Sequence, residues 1–129
     1  MAEQWDTAAK LLGLAKGAFS GGVEYCELTV AQLTRLLEIG FVSLSYKFNQ
    51  SPTVETFYEF GKRAEECGAT VVYEGFLESK ARENAKLVID GVKVKNFSGS
   101  SELVLDFSQT FHDADEFTAK TGLLRAWYD

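Results

Sequence analysis

Apolar residues along this chain recur with two different periods, and the period changes where glycines fall. Trp5, Ala8, Ala9, Leu12 and Ala15 lie at helical spacing, which predicts an amphipathic N-terminal helix, weakened by Gly13 and ending near Gly17. The following "GLAKGAFSGG" lacks the Lys-Ser/Thr pair and the preceding strand that a phosphate-cradling loop needs, and it reads as a flexible helix exit. "GVEYCEL" predicts a short strand. Thr29 and Gln32 then form a capping box, opening a helix that buries Leu33, Leu36 and Leu37 and stops at Gly40.

Period two takes over in "FVSLSYKF", where Val42, Leu44, Tyr46 and Phe48 alternate with Ser43, Ser45 and Lys47, the signature of a half-buried strand. Ser51 as N-cap and Pro52 at the first helical position predict the next helix. Its Val54, Phe57, Gly61 and Ala64 share a face, and Gly68 ends it. "ATVVYEGFL" reads as a strand, so Phe41 to Leu77 predicts a β-α-β unit with parallel strands and a right-handed crossover.

In "AKLVIDGVKVKN" the Asp90-Gly91 pair predicts a two-residue hairpin turn. That register puts Leu87, Ile89, Val92 and Val94 on one face and Lys86, Lys93 and Lys95 on the other, with Lys86 opposite Lys95. Such a lysine cluster is either a solvated guard against edge pairing or a patch for a partner. "ELVLDFSQ" alternates again, with Leu103, Leu105 and Phe107 inward, and predicts a strand. Asp113 and Glu116 then stand where acids favour the first turn of a helix, with Gly122 as its stop and Asp113 as N-cap. The last segment, "LLRAWYD", is compatible with a strand.

Together these elements predict a single α+β domain over residues 1–129, mainly helical over 1–40 and β-rich over 41–129. The architecture expected is a two-layer sandwich with a mixed sheet, ferredoxin-like or a variant of it. It would be built from two β-α-β units joined by the hairpin, plus N-terminal helices. The two exits "FNQSPT" and "FSQTFH" look alike. As carboxyl ends of parallel neighbouring strands they would bring Asn49, Gln50, Ser51, Ser108, Gln109, Thr110 and His112 together beside two helix N-termini, a setting for a polar or anionic ligand. Helix capping and turn formation account for the same polar residues without a ligand.

Composition narrows the functional classes. With 46% hydrophobic residues, the 129-residue chain can bury a core without cross-links. Thirteen Lys+Arg against 19 Asp+Glu give a net charge of −6, which disfavours nucleic acid and anionic lipid and favours a basic or neutral partner surface. Cys26 and Cys67 lack zinc or redox spacing and read as buried free thiols in a reducing, cytoplasmic setting. The start has no signal-peptide pattern, and no stretch approaches the roughly 20 apolar residues of a membrane span.

The only histidine, His112, sits among sequential acids that match no zinc or calcium spacing, and no nucleophile stands in a recognisable elbow. No catalytic residue, metal or cofactor is therefore assigned. The expected function is non-enzymatic, through a protein partner or self-association. Trp127 and Tyr128 are candidate anchors beside Lys86, Lys93 and Lys95, with at least one of the two aromatics filling the core. The alternative is a small-molecule-binding domain using loops 48–52 and 107–113.

Overall fold

The computed structural model describes residues 2–14, 23–81, 83–97 and 101–129. The elements run α1 (Ala2–Leu11), β1 (Val23–Thr29), α2 (Val30–Glu38), α3 (Val54–Glu66), β2 (Thr70–Glu78), β3 (Leu87–Lys95), α4 (Ser101–Thr110), β4 (Glu116–Lys120) and β5 (Leu123–Trp127). The strands form one open sheet in the order β1-β2-β3-β5-β4, with every neighbouring pair antiparallel. The fold is therefore α+β, but its sheet is not the mixed sheet expected. Two helices lie between β1 and β2, so the chain returns to the far end of the sheet and β2 runs against β1.

The helices cover one face of the sheet. Leu28, Tyr73, Val92, Leu124 and Ala126 from four strands meet Leu33, Leu36, Phe57, Phe60 and Phe107 from α2, α3 and α4 in one core. Aromatic rings dominate its centre: Phe57 lies 5.5 Å from Phe111, 6.3 Å from Tyr73 and 6.2 Å from Tyr128. The Tyr73 hydroxyl donates to the Phe57 carbonyl at 2.7 Å, which satisfies a polar tip that burial would otherwise leave costly. α1 docks through buried Trp5, Ala8, Ala9 and Leu12, and the Trp5 indole donates to the Glu78 carbonyl. α1 ends at Leu11, earlier than the expected stop near Gly17, which lies outside the described residues along with most of the glycine-rich exit.

Several local signals act as read. Thr29 Oγ1 accepts from the Gln32 N–H at 3.1 Å while Gln32 Oε1 accepts from the Thr29 N–H at 2.8 Å, completing the capping box. Gly40 and Gly68 take φ of +79° and +86° just past α2 and α3. Leu33 and Leu36 are buried and Leu37 half-buried, and Val54, Phe57, Gly61 and Ala64 all face the core.

Other expectations are corrected. Residues 41–53 form an irregular loop, not a strand. Its carbonyls serve the next helix, Tyr46 O accepting from the Val54 N–H and Leu44 O from the Glu55 N–H, both at 2.9 Å. The N-cap of α3 is Thr53, two residues beyond Ser51, whose hydroxyl instead accepts from the Phe48 N–H within the loop. There is consequently no β-α-β unit over 41–77.

The Asp90-Gly91 pair does not turn the chain. β3 runs straight through it, and the register against β2 shifts between Glu74 and Gly75, which makes Asp90 the extra residue of a bulge. The bulge resets the alternation, so Leu87, Ile89, Val92 and Val94 do share the core face, though along one strand. Lys86 and Lys95 consequently stand at opposite ends of β3, not opposite each other.

"ELVLDFSQ" is helical. Leu103, Phe107 and Phe111 fall four residues apart and are buried, while Leu105 is exposed. The segment after His112 is a β-hairpin, with Thr121-Gly122 at its tip and Gly122 at φ +83°. Asp113 caps no helix; its carboxylate accepts from the Tyr128 hydroxyl at 2.9 Å.

Candidate functional site

The loss of the strand ends removes the basis of the paired-exit site. Asn49 (φ +52°) and Gln50 are exposed in the α2–α3 loop, and Ser51 is buried in that loop's own hydrogen bonds. Ser108, Gln109 and Thr110 close α4, where Thr110 donates to Asp106 at 3.1 Å, and His112 is exposed in the turn that follows. Neither segment ends a strand, so the parallel neighbours that were to bring them together do not exist. Among the described residues no group of three or more His, Cys, Asp and Glu side chains could hold a metal ion.

The lysine patch is also dispersed. Lys93 is ion-paired with Glu27, Lys86 lies 5.4 Å from the centre of the Tyr46 ring, and Lys95 is exposed at the end of β3. Tyr128 is buried in the core. Of the two aromatic candidates only Trp127, half-buried, lies on the sheet face that no helix of the described residues covers.

That face has an ordered composition, because strand register aligns residues from all five strands. One row reads Glu27, Glu74, Gly91, Trp127, Glu116 across β1, β2, β3, β5 and β4. The adjacent row reads Thr29, Val72, Lys93, Arg125, Thr118. Glu27 and Glu74 are directly opposed, a repulsive arrangement that the second row relieves. Lys93 pairs with Glu27, and Arg125 reaches Glu74 through Nε at 2.9 Å and Glu116 through Nη1 at 2.8 Å. On the other side of the acidic row, Tyr25 and Phe76 make an edge contact at 5.9 Å, and Phe48 meets Phe76 at 5.5 Å.

Between these rows lies a groove of about 450 Å³, lined by Tyr25, Cys26, Glu27, Glu74, Gly75, Asp90 and Trp127. Glycine is required here. A Cβ on Gly75 would lie 2.0 Å from the Val88 carbonyl, so only glycine permits the bulge, and a side chain on Gly91 would press on Glu74 and Trp127. The bulge places Asp90 in the groove wall at 6% exposure. Burial pushes its carboxyl up to about 6, and the hydrogen bond from the Trp127 side chain works in the opposite direction. Burial likewise raises the Cys26 thiol to about 11, with Asp90, Glu24 and Glu27 adding to the effect, so this cysteine is held as the unreactive thiol. Cys67, expected to be buried, is exposed at the end of α3.

Chemically, the groove offers carboxylate acceptors beside an indole, a combination that suits a guanidinium or ammonium group. Of its residues only Trp127 is a candidate binding residue from sequence, where Asp90 reads as half of a turn and Cys26 as a buried free thiol. The others come from β1, β2 and β3, and only the register makes them neighbours. No protein-family model, curated protein or solved structure matches this chain. Among the described residues no helix is long and apolar enough to cross a membrane.

Proposed function

We propose that this protein acts non-enzymatically, as a binding protein that holds a basic segment of a protein partner on the helix-free face of its sheet. The observation that carries this reading is the acidic row with Trp127 in it and Asp90 beside it, on a face that no helix of the described residues covers. Four carboxylates, Glu27, Glu74, Asp90 and Glu116, stand in and beside that row against Lys93 and Arg125, so acids outnumber bases around the groove, while Lys95 and Lys120 stand toward the other end of the same face. The net charge of −6 would steer a basic partner to it.

Calorimetric titration with a triarginine peptide tests the proposal, with triglutamate as control. Saturable binding that weakens with salt is expected for triarginine alone. Trp127→Ala should weaken it about tenfold, equivalent to about 1.4 kcal/mol, by removing the indole face. Glu27→Gln should also weaken it, whereas Glu66→Gln, which removes the same charge from the helix layer, should not. Absence of binding, or equal losses for the two glutamine variants, would overturn the reading.

A further inference from the structure

Among the described residues the sheet has two open edges, and they differ in what they offer a second copy of this chain. β1, "VEYCELT", carries Glu24 and Glu27 and no base, so antiparallel self-pairing would gather like charges. β4, "EFTAK", is self-complementary. About a two-fold axis through Thr118, Glu116 of one copy faces Lys120 of the other, and Phe117 faces Ala119.

The backbone supports the same register. The Tyr128 N–H donates to the Asp90 carbonyl at 2.8 Å, toward β3. By the alternation of an antiparallel ladder, Leu123, Arg125 and Trp127 then turn their backbone groups toward β4. Their partners Lys120, Thr118 and Glu116 point back at β5, which leaves the N–H and C=O of Phe117 and Ala119 on the open edge. These are the residues that a two-fold at Thr118 sets opposite each other, each pair exchanging two hydrogen bonds.

Side chains on the helix side also fit. Phe117 packs against Phe107 at 5.2 Å and is still 42% exposed. Beside Ala119 lies a recess of about 210 Å³ bordered by Phe97, Val104, Gly122 and Leu124. In the two-fold register Phe117 of the second copy stands directly opposite Ala119, at the mouth of this recess.

We infer that the protein self-associates through β4, in an antiparallel pairing centred on Thr118 that joins two sheets into one of ten strands. The occupant of the edge is a second copy, because charge, backbone parity and the aromatic-recess match are all satisfied by the strand's own sequence. Paired strands keep their faces, so both acidic grooves point the same way, and a dimer would present them as a bivalent surface. The dimer does not depend on the function proposed above.

Sedimentation velocity across micromolar to sub-millimolar concentrations tests it. Wild type should show a concentration-dependent dimer. Lys120→Glu and Glu116→Lys should each weaken self-association at least tenfold, and an equimolar mixture of the two should recover a dimer, since each heterologous pair is then acid against base. Ala119→Pro removes an N–H that β5 does not use, so it should give a monomer with an unchanged circular dichroism spectrum. A wild type that stays monomeric throughout would mean that Lys120 only guards the edge, and would overturn the inference. So would a dimer indifferent to both charge variants.

Discussion

The two faces of the sheet are made by alternate residues of the same five strands, and they do opposite work. On the helix side, Leu28, Tyr73, Val92, Leu124 and Ala126 are all at most 1% exposed, and each large side chain contributes on the order of 1.5–3 kcal/mol by leaving water. On the other side, Lys93 with Glu27, and Arg125 with Glu74 and Glu116, form ion pairs of the partly exposed kind, worth about 0–1 kcal/mol each. Stability is therefore concentrated on one face. The other is free to carry charge and a groove with little effect on the fold.

The largest expected effect lies on the covered face. Phe57 is fully buried and touches the rings of Tyr73, Phe111 and Tyr128, so Phe57→Ala should cost about 3–5 kcal/mol in urea denaturation. A loss below about 1 kcal/mol would mean that the aromatic cluster is not the centre of the fold, and the contrast between the faces would fail.

Asp90 is the exception on the open face, and it sharpens the contrast. Its carboxyl titrates at about 6 in the fold against an ordinary 3.8, so between those values the unfolded chain has released a proton that the folded chain retains. Stability contributed by the protonated group is thus present at low pH and falls as pH rises through that window. Roughly two pKa units correspond to about 3 kcal/mol at most. Asp90→Asn keeps an acceptor for Trp127 without the charge. The variant should match wild type near pH 4 and exceed it by about 2 kcal/mol near pH 7, with the difference opening between the two. A difference that does not change with pH would show that Asp90 is not a buried charge.

How far these features could be read in advance depends on the range of the interaction that sets them. The capping box at Thr29 and Gln32, the glycines after α2 and α3, and the buried stripe of α3 involve residues within a few positions of each other, and they stand as read. The segment at α4 did not, because Leu103 and Phe107 satisfy both a period of two and a period near four. Phe111, another four residues on, favours the helix, and the exposure of Leu105 follows from packing against α3 and β4. Asp90-Gly91 has the chemistry of a hairpin turn, yet β3 pairs on both sides with β2 and β5, and the same residues serve as a bulge. The acidic row was the least legible. Glu27, Glu74, Gly91, Trp127 and Glu116 span most of the chain and are joined only by register.

The smallest expected effect tests whether the ion pairs of the open face matter to the fold at all. Glu27 attracts Lys93 and repels Glu74, which stands directly opposite it. Removing its charge by Glu27→Gln loses the first interaction and relieves the second, so the net change should stay within about 0.5 kcal/mol. A near-zero net change alone would not distinguish cancellation from the absence of any interaction. A double-mutant cycle with Lys93→Met does, because it isolates the attractive part. A coupling of about 0.5 kcal/mol that fades in high salt is expected, beside the negligible single-variant effect. A coupling of several kcal/mol would instead make the pair structural, and would place on the open face a share of stability that its exposure argues against.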